Sequence, residues 1–160
     1  MAIIVDRSQL EGFVGRRLEA ASWRRIDQPL IDAFAQLTGA HEFIHVDPVA
    51  AQGTTYGTTI AHGYLTLALL PELLESIRLQ PKGTAWGINY GVDHLRFLSP
   101  VRCGAEIRAA STLLAIEDRE ADRMLLRSAV SVDIRGEDKP ALSVETLVMW
   151  VLAPGPAGSS

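Results

Sequence analysis

The chain has 160 residues and a mass of 17.4 kDa, with a formal net charge of −4 and an isoelectric point near 5.5. Hydrophobic residues make up 48% and charged residues 21%, the balance of one ordered domain rather than a disordered chain. The acidic balance and the lack of a Lys/Arg cluster argue against nucleic acid as a partner. A lone cysteine, Cys103, leaves no intrachain disulfide and too few thiols for a cysteine-based zinc site.

Near the N-terminus Asp6 stands where a secretory leader would be apolar. The longest apolar stretch, Leu65 to Leu74, is interrupted by Thr66, Pro71 and Glu72. It is far shorter than the ~20 residues that cross a bilayer. A cytoplasmic chain with no membrane span is expected. A strand is expected near Gly12–Trp23. Asp27, followed by Pro29, starts a helix whose apolar positions Leu30, Ile31, Phe34 and Leu37 share one face. Gly39 stops it, so the helix is expected over Asp27–Thr38. Residues 39–60 read as a long irregular loop, the kind that carries function, and hold His41 and His45.

From His62 to Leu79 the chain is apolar on nearly every side, which predicts a buried helix bent near Leu67 by Pro71. Gln80–Gly83 reads as a turn. Strands are expected at Thr84–Tyr90, Cys103–Glu117, Met124–Ile134 and Leu142–Leu152, with polar turns at Asp118–Asp122 and Gly136–Pro140. The clearest alternation runs through Ile107, Ala109, Ser111 and Leu113, and again through Val144, Thr146, Val148 and Trp150. Cys103 reads as a buried strand residue, and Asp93 and His94 as turn residues. Helices segregated from an antiparallel meander mean a single α+β domain over 1–153, with 154–160 as a flexible tail.

The most informative segment is Thr38-Gly39-Ala40-His41-Glu42-Phe43-Ile44-His45-Val46-Asp47-Pro48. It resembles the hydratase motif of the MaoC-like family, the (R)-specific enoyl-CoA hydratases and related dehydratases, in its nodulation-protein-N-like branch. The match rests on Gly39, Ile44, His45, Asp47 and Pro48. Two further matches follow in order, Thr59 to Thr66 and then Asn89-Tyr90-Gly91 with Arg96-Phe97 and Ser99-Pro100-Val101. The resemblance implies a hot-dog domain, a long central helix wrapped by an antiparallel sheet. It also implies a homodimer acting on coenzyme A or acyl-carrier-protein thioesters, with no separate cofactor. The apolar final strand, Val148 to Leu152, is expected to form an edge that a second copy covers.

Hydrating an enoyl thioester requires a base for water, an acid for C2 and donors for the enolate oxygen. His45 suits the first role, since an unperturbed imidazole titrates near ~6.5. The start of the helix at Gly63 offers free N–H groups for the oxyanion, and glycine permits close approach. By the same resemblance, Glu42, His62, Tyr64, Asn89, Tyr90, Gly91 and Arg96 are candidate substrate-binding residues. The chain departs from the family at Ala40, where the family has the Asp that shares water with the histidine. Glu42 is a second departure, at a position that is Asn or Gln in the family. Reduced hydratase activity is therefore expected, with deliberate replacement of the Asp favoured over natural loss, because the surrounding motif is intact. The alternatives are a non-catalytic acyl-thioester binding protein and a hot-dog thioesterase. His41 reads as a solvated loop residue and Asp47 as the cap of the next turn. A metal set of His41, His45 and Asp47 would need a helix where a loop is expected, so no metal is expected.

Overall fold

Period-two alternation dominates the second half of the chain, and the structure, a computed structural model that describes residues 1–120 and 122–153, turns it into sheet. The strands are β1 (Ile3–Val5), β2 (Arg17–Glu19), β3 (Arg24–Arg25), β4 (Leu79–Pro81), β5 (Thr84–Phe97), β6 (Glu106–Arg119), β7 (Arg123–Ile134) and β8 (Leu142–Leu152). Helices α1 (Gln28–Thr38), α2 (Phe43–Val46), α3 (Pro48–Ala51), α4 (Gly63–Ala68) and α5 (Leu70–Leu73) come between β3 and β4. One six-stranded antiparallel sheet has the order β2-β6-β7-β8-β5, with β3 also pairing to β6. The tail expected at 154–160 lies outside the described residues.

Helix α1 follows from local signals. The Asp27 side chain accepts from the Leu30 N–H at 3.2 Å, and Gly39 ends the helix at φ 76°. Its buried Ile31 joins Leu65, Leu70 and Leu73 of α4 and α5 against Ile107, Val130, Val132, Leu142 and Val144 of the sheet. A second cluster, at the other end of the same sheet face, joins Leu113, Met124, Leu126 and Trp150 to Val5 and Leu10. Ser111, Ser128 and Thr146 continue the same alternation between the two clusters. The sheet thus wraps the helical layer, and the hot-dog arrangement holds.

Several expectations are corrected. The helix expected over His62–Leu79 is two short ones, broken at Leu69, because Pro71 has no N–H to offer the Leu67 carbonyl. Beyond it Leu79–Pro81 is a strand rather than a turn, paired in parallel with Ile3–Val5. The strand expected near Gly12–Trp23 shrinks to Arg17–Glu19. A 3-10 helix over Arg7–Phe13 precedes it, and Leu10 from that helix is fully buried. Strand β5 runs on to Phe97 through irregularities at Asn89/Gly91 and Asp93/Arg96. Asp93 and His94 are therefore strand residues, and Asp93 accepts from Arg127 at 2.7 Å. Cys103 sits half-buried in the turn before β6. The Asp118–Asp122 turn is tighter than expected, since β6 reaches Arg119, and Ala121 lies outside the described residues. Finally, β8 lies between β7 and β5, so the apolar edge is β5, with Trp86, Ile88 and Tyr90 exposed. Among the described residues no helix is long and apolar enough to cross a membrane.

Candidate active site

The segment after α1 is not an irregular loop throughout. Glu42 is the N-cap of α2, and His45 lies on that single turn. Asp47 caps α3 as expected, accepting from the Val49 and Ala50 N–H groups at 3.0 Å each. The returning strand-like segment is pinned by Ile60 N–H to the Ile44 carbonyl at 3.0 Å and Ala61 N–H to the Val101 carbonyl at 2.7 Å. Gln28, in the first turn of α1, ties both arms together. Its amide donates to the His45 carbonyl at 2.8 Å and to Asp32 at 2.7 Å, and its side-chain oxygen accepts from the buried Thr59 hydroxyl.

These supports fix both imidazoles. His45 Nδ1 lies 2.7 Å from the Ile60 carbonyl. A carbonyl only accepts, so Nδ1 carries the proton and Nε2 keeps its lone pair. His62 Nε2 likewise donates to the Ala40 carbonyl at 2.9 Å, leaving Nδ1 buried without a hydrogen-bond partner among the described residues. The rings stack with centroids 3.8 Å apart and planes 28° apart, and the Phe34 ring packs against His62 at 5.2 Å. Burial pushes the His45 pKa below the usual imidazole value, and His62 adds to the shift. The Ile60 carbonyl and the Glu42 charge oppose it. The Glu42 carboxylate and a ring nitrogen from each of His45 and His62 lie within 4.8 Å of one another. These three are also donor types that ligate a divalent metal.

The expected site residues divide accordingly. Ala40, Glu42, His45 and His62 come together, and position 40 contributes its backbone carbonyl. Gly63 opens α4 beneath Phe97, where an added Cβ would stand 3.0 Å from the ring. Tyr64 is exposed and meets Phe97 edge-on at 5.6 Å. Asn89 and Gly91 instead line a cavity of about 580 Å³ between α4–α5 and the sheet, floored by Ser111, Ser128 and Thr146. Tyr90 is exposed on the edge strand. Arg96 is exposed too, its guanidinium donating to the Leu95 carbonyl at 2.7 Å. His41 is exposed and Asp47 is spent as a cap, so the metal set weighed from spacing does not assemble. Gln28, Asp32, Phe34 and Phe97 escaped the residue-by-residue reading as supports. Thr59 and Phe97 at least fall inside motif segments.

Comparison with known proteins identifies the family. Residues 9–132 match the family described as MaoC like domain. The chain is 38% identical to 3-hydroxyacyl-thioester dehydratase Z of Mycobacterium tuberculosis, over 90% of this chain and 95% of that protein. It is 39% identical to nodulation protein N of Rhizobium meliloti, over 94% of each. Among solved structures, the unliganded (R)-hydratase of Pseudomonas aeruginosa superposes with a TM-score of 0.63 at 26% identity, covering 92% of each chain.

Proposed function

The chain belongs to the MaoC-like dehydratase family, and on that premise we propose that it adds water reversibly to a trans-2-enoyl thioester of coenzyme A or acyl-carrier protein, giving the (R)-3-hydroxyacyl thioester. The observation that carries this reading is His45. Its Nδ1–H is committed to the Ile60 carbonyl, which leaves the lone pair on Nε2, and one of its ring nitrogens lies within 4.8 Å of Glu42 and His62 beside the start of α4. Burial lowers its pKa and so favours the neutral imidazole, the form a base needs. The names of two relatives support the substrate class, one a 3-hydroxyacyl-thioester dehydratase and the other an (R)-hydratase.

In this reading water bonds to C3, its proton passes to the His45 site, and a proton returns to C2. The first N–H groups of α4, at Gly63, stabilise the enolate oxygen. The cavity beside α4 and α5 takes the acyl chain, with Asn89 and Gly91 on its wall. Glu42, His62 and Tyr64 border the thioester, and Tyr90 and Arg96 serve the outer part of the substrate. Edge strand β5 continues the sheet into a second copy, which covers Trp86 and Ile88. No separate cofactor takes part.

Loss of enoyl-thioester absorbance from crotonyl-CoA tests the assignment. The Ala40→Asp variant, which restores the family carboxylate, is expected to form the (R)-3-hydroxy product without releasing thiol. Adding His45→Ala should lower its kcat by about 10²- to 10⁴-fold. Release of free coenzyme A instead would assign a thioesterase. Binding without turnover by both the parent chain and Ala40→Asp would assign a binding protein.

A further inference from the structure

The missing Asp leaves the family's water-sharing pair with one member, yet the His45 site is not short of a carboxylate. We infer that Glu42 is the acid–base partner of His45 in this chain, moved two residues along from the position where the family holds its Asp. The inference rests on the hydratase reading above.

Local geometry brings Glu42 there. As the N-cap of α2 it stands three residues before His45, and side chains at that spacing share a helix face. Its carboxylate makes no capping hydrogen bond, so it is free for other work. The separation of up to 4.8 Å from the ring nitrogens exceeds a direct hydrogen bond. It suits one intervening water, whose two legs of about 2.8 Å each span such a gap. A water bound there finds the Glu42 carboxylate and the His45 Nε2 lone pair as acceptors.

The two departures from the family motif then become one exchange. A carboxylate is lost at Ala40 and another is gained at Glu42, where the family has Asn or Gln. The loop keeps one acid beside its histidine, as a natural variant of the site would. The chemistry balances without a further reagent. The water oxygen bonds to C3 as the C2–C3 π pair moves toward the thioester carbonyl. The water proton passes to the Glu42–His45 pair, and the pair returns one proton to C2. Restoring Asp at position 40 beside Glu42 would put two carboxylates on one water, which raises the pKa of one of them.

Crotonyl-CoA hydration by EDTA-treated protein tests this in four chains: the parent, Glu42→Gln, Ala40→Asp, and Ala40→Asp with Glu42→Gln. The parent is expected to turn over. Glu42→Gln should lose about 10²-fold in kcat with KM within a few-fold. The double variant, which has the family's own residue types at both positions, should regain the rate. Turnover by Glu42→Gln equal to the parent's would overturn the assignment, as would a silent parent beside an active Ala40→Asp. In both of those cases the hydratase reading stands. Activity of the parent that appears only on adding zinc would overturn it too, by making Glu42 a metal ligand. Silence in all four chains would defeat the hydratase reading itself, and this assignment with it.

Discussion

The His45 turn and the 580 Å³ cavity are neighbours in the fold but are built on opposite terms. Around His45 orientation comes from hydrogen bonds. The Ile60 and Ala40 carbonyls set the two imidazole tautomers, and Gln28 ties the start of α1 to both the His45 and Thr59 segments. The cavity is instead the space that the broken helix and the sheet leave unfilled. Its walls are mostly apolar side chains, with three hydroxyl residues on its floor. Directional bonds hold reacting groups to fractions of an ångström, whereas apolar walls reward any chain that fills them. In the proposed reaction the first region therefore sets the chemistry and the second grades the substrates.

The largest separation between the two regions is expected from Gln28→Leu. It strips partners from the buried Thr59 hydroxyl and from the His45 carbonyl, a cost of about 1–3 kcal/mol. A thermal melt should show it, at about 2–4 °C for each kcal/mol. The same change should lower kcat for every acyl length alike, and an effect confined to long acyl chains would contradict the division. Ser128→Leu acts from the other side. It fills the cavity floor, so each acyl CH₂ displaced from apolar contact should cost about fourfold in kcat/KM. A series of enoyl-CoA lengths reads this out, with crotonyl-CoA unaffected.

The smallest effect is in pH. The groups facing the His45 ring are Glu42 and His62, and burial outweighs the Glu42 charge, so the folded-state pKa lies below the ordinary value. The unfolded chain then binds more protons as pH falls through ~6.5, and stability falls with it. The loss is complete once pH is below the folded-state pKa, and absent above ~6.5. His45→Ala should flatten that part of a stability–pH curve. The acidic limb of kcat/KM should likewise lie below pH ~6.5.

What could be read from the chain follows the range of the signals. Helix α1 was legible because Asp27 and Gly39 act within a few residues. The strands were legible because alternation repeats along Val144, Thr146, Val148 and Trp150. Strand order is not written in alternation, so β8 passed for the edge that β5 supplies. The parallel pairing of Ile3–Val5 with Leu79–Pro81 joins segments over seventy positions apart, beyond any local pattern. His45 was found through its motif. Glu42 was named as a candidate, but its approach to His45 depends on one helical turn in a stretch that reads as loop. Gln28 carried no signal at all, because an exposed-looking amide in a first helical turn is ordinary.

The hydrogen bond from His62 to the Ala40 carbonyl has an evolutionary consequence. The peptide at position 40 orients His62, and every amino acid brings that carbonyl. Descendants can therefore trade the side chain there without disturbing its neighbour's tautomer. An acid can migrate between two nearby positions by single steps, each passing through a folded ancestor, and a catalytic group can drift along its own loop.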